Sequence, residues 1–253
     1  MGKIGVPRLG ARGIQPHGMS QDMGCEYWRK VASIRPANLI GYWPNWEPDG
    51  ADVFDYSGLG DRATSTGLGL AVAGADGVHQ TRAFNGAPSH VNHLSAEFVT
   101  RFNGLEGTWL GWARAAAAGQ WTDGNYRNLF RLVTDGNNSV QVCKSNVNTT
   151  LLLVYQNGGF FDTVAWGDIN PGTNWFMYGL TWSKAALQLK GYYQGAQKGA
   201  TVAIGGVYAG ALTLALVGAY SVAAVNPWLG YLDHYAVWNV ALSASEVKQF
   251  SEV

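Results

Sequence analysis

Charged residues are scarce in this chain. Of its 253 residues, 17 are Lys or Arg and 17 are Asp or Glu, so charge accounts for 13% of the sequence and the net charge is zero. A soluble domain ordinarily carries about 25% charged residues. The shortage favours a surface that faces other protein, although a neutral domain rich in Gly and Asn would have the same composition. Because no basic stripe is present, nucleic acid is not an expected partner.

Cysteine is nearly absent as well. Cys25 and Cys143 form no CxxC spacing, so neither a disulfide framework nor a cysteine-based zinc site is predicted. No uninterrupted apolar run follows the basic N-terminal residues, and no signal peptide is expected. The uncharged stretch between Lys198 and Asp233 is long enough to span a bilayer. Its glycines divide it into short runs, however, and two or three buried strands are the preferred interpretation.

Residues 1–38 have no periodicity and are rich in Gly, Pro and basic residues. They predict an extended N-terminal arm that precedes the domain and docks onto a partner or a second copy of the chain, with a disordered tail as the alternative. Its anchor would be Tyr27 and Trp28, flanked by Arg29 and Lys30. On this hypothesis, removal of the arm leaves the domain folded but unable to assemble.

The segment from Trp228 onward alternates with apolar residues on both faces. This pattern predicts a strand inside a sheet that is covered on both sides, with Tyr235 and Val237 on one face and Leu232, Ala236 and Trp238 on the other. Asp233 lies at mid-strand, where we expect a hydrogen-bonded structural carboxylate without a metal. Ser243 or Ser245 can then begin a short helical turn. Shorter runs along the chain, including residues 98–102, predict further strands.

Several motifs resemble those of laminin-G-like domains of the concanavalin A-like lectin/glucanase superfamily. The closing strand and turn of that family are matched by Gly230, Leu232, Asp233, Tyr235, Asn239, Ala241, Leu242, Ser243 and Glu246. Other landmarks follow in the family's order: residues 39–44, 55–58, 83–86, 108–113, 175–182 and 192–195. Leu232 stands where the family has Ile, and Gln194 where it has Asp. The resemblance covers residues 39–253.

This resemblance implies an all-β fold, a jelly-roll sandwich of two antiparallel sheets over residues 39–253, which the alternating strands and hairpin signals also favour. It also implies a role for Asp55 or Asp233 in a structural calcium site. Calcium requires six or more oxygen ligands, and no acidic cluster in the sequence supplies them. We therefore expect no metal and no cofactor.

The superfamily includes glycoside hydrolases, but the sequence lacks their paired carboxylates. The nearest match runs from Glu47 to Asp52, and Pro48 and Gly50 within it disfavour a strand. His90 and His93 would lie on opposite faces of a strand without a third metal ligand nearby. An enzyme is not predicted.

Sugar-binding sites combine an exposed aromatic ring with polar side chains that hold hydroxyl groups. Eleven Trp and twelve Tyr are available, although most aromatic side chains in a sandwich belong to its core. The candidates are Trp121, Asp123, Asn125, Tyr126 and Trp166, of which we expect the three aromatic rings to be exposed.

The low charge and the arm favour a non-enzymatic structural component of a large assembly, most consistent with a bacteriophage virion protein of the capsid-decoration or tail type. Its partners would be other virion proteins and copies of itself. The alternative is a carbohydrate-binding lectin or adhesin module that recognises a surface glycan.

Overall fold

Strands are the main regular structure of the chain that the structure describes. The computed structural model describes residues 24–47, 52–86 and 88–252. Its helices are α1 (Gly24–Ser33), α2 (Ala96–Arg101) and α3 (Ala244–Ser251), and a 3-10 turn covers Ala118–Thr122. The strands are β1 (Leu39–Trp43), β2 (Asp52–Phe54), β3 (Arg62–Thr66), β4 (Leu68–Ala73), β5 (Gln80–Asn85), β6 (His90–Asn92), β7 (Glu106–Ala115), β8 (Arg127–Asp135), β9 (Asn138–Lys144), β10 (Leu151–Asn157), β11 (Phe160–Trp166), β12 (Phe176–Ser183), β13 (Gln188–Tyr193), β14 (Ala196–Gln197), β15 (Leu214–Val217) and β16 (Leu229–Trp238).

The strands form two eight-stranded sheets. Sheet A has the order β14-β13-β12-β7-β16-β5-β4, and β1 pairs with β16 beside β5. Sheet B has the order β11-β10-β9-β8-β15-β6-β3-β2. Neighbouring strands are antiparallel in both sheets. The two-sheet antiparallel jelly-roll sandwich predicted from the sequence is therefore confirmed.

The main core lies between the sheets and is dominated by aromatic rings. Trp109 stacks on Phe130 of the opposite sheet, with ring centroids 4.0 Å apart. Tyr235 stacks on the other side of Trp109 at 6.0 Å. Stacks of this kind add to the free energy gained from burying their apolar surface, and the Trp109–Phe130 stack joins the two sheets.

Strand β16 occupies the middle of sheet A. It pairs along one edge with β7, and along the other edge first with β5 and then with β1. Tyr235 and Val237 belong to the core between the sheets, whereas Ala236 and Trp238 belong to a second apolar cluster on the outer face of sheet A. The sequence-based prediction of a strand covered on both sides is confirmed.

A β-bulge interrupts β16 and changes which residues share a face. The pairing with β7 shifts between Asp233 and Ala236, and His234 has a left-handed backbone with φ of 43°. The extra residue places Leu232 in the main core together with Tyr235. The prediction that Leu232 lies on the face of Ala236 is therefore wrong, because strict alternation fails at a bulge.

Helices α1 and α3 cover the outer face of sheet A. Helix α3 begins with a capping box: Ser243 accepts a hydrogen bond from Glu246 N, and the Glu246 carboxylate accepts one from Ser243 N. Helix α1 packs beside it, with Val31 fully buried and Tyr27 6% exposed. Residues 24–38 are thus packed against the sheet, which differs from the extended arm predicted over residues 1–38. Residues 1–23 of that prediction lie outside the described residues.

Two further predictions differ from the structure. The segment 98–102 was expected to be a strand, but it falls in α2 and the turn after it, because the Ser95 side chain accepts a hydrogen bond from Phe98 N and caps a helix. The apolar stretch between Lys198 and Asp233 contains β15 and the beginning of β16, and its backbone before β15 forms no further strand. Among the described residues, no helix is both long and apolar enough to cross a membrane.

Tyr27→Ala tests whether α1 is part of the fold. The Tyr27 ring is buried, and its hydroxyl donates to Phe250 O at 2.5 Å. Truncating such a ring costs about 3–5 kcal/mol, which lowers Tm by at least about 6 °C. Arg29→Ala is the matched control, because Arg29 is exposed on the same helix. It should change Tm by less than about 2 °C. An unchanged Tm for Tyr27→Ala in a thermal melt would contradict the docked helix.

Candidate functional site

The outer face of sheet B combines partly exposed polar side chains with buried apolar ones. Side chains of β9 and β10 alternate between the core and this outer face: Val140, Val142, Leu151 and Leu153 point into the core. Gln141, which lies between two of them, points outward and is partly exposed. The outer face is therefore a surface on which a ligand can contact side chains from several strands.

One row of directly opposed residues crosses this face. Strand register pairs Thr163 with Val154, Val154 with Gln141, Gln141 with Arg131, Arg131 with Leu216, Leu216 with Asn92 and Asn92 with Thr64. We call these seven residues the cross-strand row. Five of its members are polar: Arg131, Gln141, Asn92 and Thr163 are partly buried, and Thr64 is exposed. The two apolar members, Val154 and Leu216, are buried. Side chains held in this way are better ordered than free surface groups.

An aromatic ring is fixed at the middle of the row. The Arg131 guanidinium lies over the Tyr220 ring, 3.6 Å from its centroid, and Nη1 donates to Tyr220 O at 3.1 Å. Tyr220 is 37% exposed. Its loop is held to sheet B because Gly218 N donates to Leu129 O and Asn128 N donates to Asn226 O, both at 2.9 Å. The ring is thus an exposed but anchored platform.

Arg131 and Gln141 also carry unused hydrogen-bonding capacity. Within the described part of the chain, Arg131 Nε and Gln141 Oε1 are buried atoms without a hydrogen-bond partner. The two residues face each other on β8 and β9, so a donor and an acceptor stand on adjacent strands. Unsatisfied buried polar atoms are costly, and a polar ligand that reorients these side chains would relieve that cost.

The glycan-binding residues predicted from the sequence have different roles. Trp121 is fully buried and donates from Nε1 to Gly172 O at 3.0 Å, and Trp166 is buried and donates from Nε1 to Lys198 O at 2.8 Å. The expectation that these rings are exposed is wrong, because both close the core of the sandwich. Tyr126 is exposed, at 42%.

Asp123 and Asn125 surround a buried lysine. Lys144 has a fully buried side chain, and its Nζ donates to Asp123 Oδ1 at 2.7 Å and to Asn125 O at 3.0 Å. Arg127 pairs with the same carboxylate. Burial raises the pKa of Asp123, but the hydrogen bonds from Lys144 and Arg127 lower it by more than burial raises it. The pKa of this carboxyl is therefore well below its usual value. These contacts account for Asp123 and Asn125 as structural residues.

The predicted anchor of the arm is also engaged within the chain. Besides the contacts of Tyr27, Trp28 donates from Nε1 to Tyr56 O at 2.8 Å, and Lys30 donates to Glu252 O at 2.5 Å. Arg29 is exposed. The side chains expected to grip a partner are therefore used, apart from Arg29, to hold α1 on the sandwich.

The remaining sequence candidates lie apart from the cross-strand row. Glu47 is buried, and its Oε1 accepts a hydrogen bond from Phe54 N at 2.9 Å. Asp49 lies outside the described residues. Asp233 is buried and accepts hydrogen bonds from Ala75 N and His234 N. It is thus the hydrogen-bonded mid-strand carboxylate that the sequence predicted.

The structure superimposes on domains of known structure over most of the chain. The receptor-binding domain of botulinum neurotoxin mosaic serotype C/D matches with a TM-score of 0.67 and 10% identity, over 86% of this chain and 51% of that chain. The ligand-binding domain of botulinum neurotoxin serotype D, solved with N-acetylneuraminic acid, matches with a TM-score of 0.66 and 12% identity, over 88% and 52%.

Domain 4 of AbnA, a GH43 extracellular arabinanase from Geobacillus stearothermophilus solved with arabinotriose, matches with a TM-score of 0.62 and 17% identity, over 85% of this chain and 98% of that chain. These similarities establish a lectin-like β-sandwich fold. The chain spans about half the length of the neurotoxin domains that it matches. No protein-family model matches the sequence, and no curated protein does.

The burial of His93 in the core next to β6 predicts that the stability of the protein depends on pH. It packs against Trp43 with ring centroids 4.2 Å apart, and burial lowers its pKa to about 3. The unfolded chain takes up this proton near pH 6.5, so stability falls as the pH drops from about 6.5 towards 3. His93→Leu should remove a slope of about 1.4 kcal/mol per pH unit between roughly pH 4 and 6.

The slope is measured by urea unfolding across that pH range. Val91→Ala is the control, because it removes apolar contacts from the same core without removing a titratable group. It should lower stability at every pH and keep the slope. An unchanged slope in His93→Leu would show that His93 is protonated in the folded protein.

Proposed function

We propose that this chain is a non-catalytic glycan-binding domain and that its ligand lies on the outer face of sheet B. The juxtaposition of Arg131, Gln141 and the Tyr220 ring carries this proposal. An amide and a guanidinium supply planar donors and acceptors for sugar hydroxyl groups. The exposed side of an aromatic ring supplies an apolar surface for the C–H face of a sugar ring.

The positive charge of Arg131 on the cross-strand row favours acidic sugars as ligands. Arg131 is the one basic residue among its seven members, and a guanidinium pairs with a carboxylate through two parallel hydrogen bonds. An acidic sugar would gain such a pair, whereas a neutral sugar would use only the hydroxyl contacts. We therefore expect acidic oligosaccharides to bind more tightly than neutral ones of the same length.

The structural comparisons support the same class of function. Two of the similar domains were solved with N-acetylneuraminic acid or arabinotriose. At 10–17% identity they share the fold with this chain, so the binding site is argued from its own residues. Membership of the laminin-G-like family is part of this proposal and rests on the motifs along residues 39–253.

We propose a domain without catalytic activity because no pair of carboxylates is placed for glycoside hydrolysis on the cross-strand row. Glu47, the first acid of the hydrolase-like match, is buried and holds the backbone of β2. Asp52, which closes that match, lies at the start of β2. On the cross-strand row itself there is no Asp or Glu that could serve as a general acid or a nucleophile.

A role in a virion or another large assembly stays a separate prediction. Its remaining support is the low charge of the sequence, since Tyr27 and Trp28 are engaged within the chain. Location in a virion or another extracellular assembly is likewise a prediction. Glycan binding is the better supported function, and the two roles are compatible in one protein.

Tyr220→Ala and Gln141→Ala should each weaken glycan binding by at least about tenfold, which corresponds to about 1.4 kcal/mol. The first removes the stacking surface and the second removes a hydroxyl partner. Binding is measured by isothermal titration with sialylated oligosaccharides and arabino-oligosaccharides. Tm should be nearly unchanged for Tyr220→Ala, because the ring is partly exposed.

Tyr126→Ala is the matched control, since Tyr126 is an equally exposed tyrosine in the loop predicted from the sequence. It should change affinity by less than about twofold. Loss of binding in Tyr126→Ala with retention in Tyr220→Ala would move the site to that loop. No binding to any acidic or neutral oligosaccharide of the panel would overturn the proposed function.

A further inference from the structure

Three potential metal ligands meet at the bulge of β16, in sheet A, whereas the cross-strand row lies on sheet B. One ligand atom from each of Asp76, His79 and His234 lies within 4.8 Å of the other two. The side chains are buried, with 6%, 4% and 0% of their surface exposed. The bulge is what turns His234 towards the other two, because the residue adopts a left-handed backbone there.

Hydrogen bonding leaves part of this cluster unsatisfied. His234 Nε2 lies 3.4 Å from Asp76 Oδ2, yet neither His234 Nε2 nor His79 Nε2 has a hydrogen-bond partner among the described residues. Two ligands of a tetrahedral zinc ion, each about 2.0–2.1 Å from the metal, stand about 3.3 Å apart. The separation between His234 Nε2 and Asp76 Oδ2 is thus poor for a hydrogen bond and suitable for two ligands of one ion. His79 Nδ1 is already hydrogen-bonded to Asp76 Oδ2, so His79 would bind an ion through its unpartnered Nε2.

The orientation of His234 fits metal binding. Its Nδ1 lies 2.7 Å from the Tyr42 hydroxyl. When Nε2 binds a metal, Nδ1 carries the proton and donates to the Tyr42 oxygen. Metal-binding histidines commonly donate their other ring nitrogen in this way, which fixes the tautomer and the ring.

The charges of the cluster also call for a cation. Asp76 and Asp233 are both buried, and within the described residues neither has a Lys or Arg in its ion pairs, only histidine. A buried carboxylate requires a compensating charge.

Aromatic rings pack around the cluster. The Tyr27 ring lies 4.6 Å from the His234 ring, and the Trp46 ring lies 4.3 Å from the His79 ring. Gly74 lets the turn of residues 74–79 approach β16, because a Cβ on it would lie 2.5 Å from Asp233 Oδ2. An ion held here would join that turn to β16 underneath α1.

We propose that Asp76, His79 and His234 bind one divalent transition-metal ion of the Zn²⁺ type as a structural site. Two imidazoles and a carboxylate are a typical zinc donor set. The fourth position is filled by a water molecule or by Asp233, whose Oδ2 lies 3.9 Å from His234 Nε2. The site ties two distant segments of the chain together and stabilises the covered face of sheet A.

Zn²⁺ content and thermal stability test this proposal on the full chain. The untagged protein, purified from zinc-supplemented medium and passed through gel filtration, should contain one zinc per chain by mass spectrometry of the metal. Chelation should lower Tm, and added Zn²⁺ should restore it. Ca²⁺ at the same concentration should not, because nitrogen ligands select against it.

His79→Gln and Asp76→Asn should each weaken Zn²⁺ binding by more than about a hundredfold, because a three-residue site becomes a two-residue one. His93→Gln is the matched control: it also removes a buried histidine with unpartnered ring nitrogens, but one outside the cluster. It should retain the zinc even if its Tm falls.

Calorimetric titration of the chelated native protein with Zn²⁺ needs no variant, so the proposal stays testable if His79→Gln fails to fold. Saturation at one ion per chain supports it. Absence of stoichiometric binding, or retention of the zinc in both His79→Gln and Asp76→Asn, would overturn it. In that event, the three residues form a hydrogen-bonded network without a metal.

Discussion

The burial of β16 on both faces is the constraint on which the rest of the structure depends. Its side chains alternate between the core of the sandwich, where Tyr235 stacks on Trp109, and the outer cluster, where Trp238 donates from Nε1 to Ile34 O at 2.7 Å. An apolar outer face must be covered, and helices α1 and α3 cover it. The residues before β1 are for this reason part of the packed domain from Gly24 onward.

Covering one sheet leaves the other available for function. Sheet A is closed by helices, whereas sheet B keeps an outer face with polar side chains at matched positions on successive strands. Arg131 and Gln141 are held at the middle of that face by strand pairing, and Tyr220 is held by the loop that follows β15. A site built on strands is more precisely positioned than a site built on loops alone, and the loop of Trp121 and Asp123 serves instead to close the core and neutralise Lys144.

Local patterns in the sequence predict the fold, because alternation, hairpin signals and the Ser243 cap all act over a few residues. They do not predict structure that depends on contacts between residues distant in the sequence. The bulge at His234 breaks the alternation, and the Leu232 carbonyl just before it accepts hydrogen bonds from the side chains of Asn45 and Thr81, which are distant in the sequence. The burial of Trp121 and Trp166 could not be predicted, because the composition of a loop does not show which of its rings pack into the core. Polar Arg131 and Gln141 in otherwise apolar strands were the available signal for the open face.

Oxidative footprinting of the side chains, with and without a bound oligosaccharide, tests the central claim that sheet B presents the functional face. In the free protein, Tyr220 should be labelled, whereas Tyr27 of α1 and Trp112, which contacts it, should be protected. Addition of the ligand should protect Tyr220 and leave the labelling of Tyr126 unchanged. Labelling of Tyr27 in the free protein, or ligand protection confined to Tyr126, would contradict this account of which face is covered and which one binds.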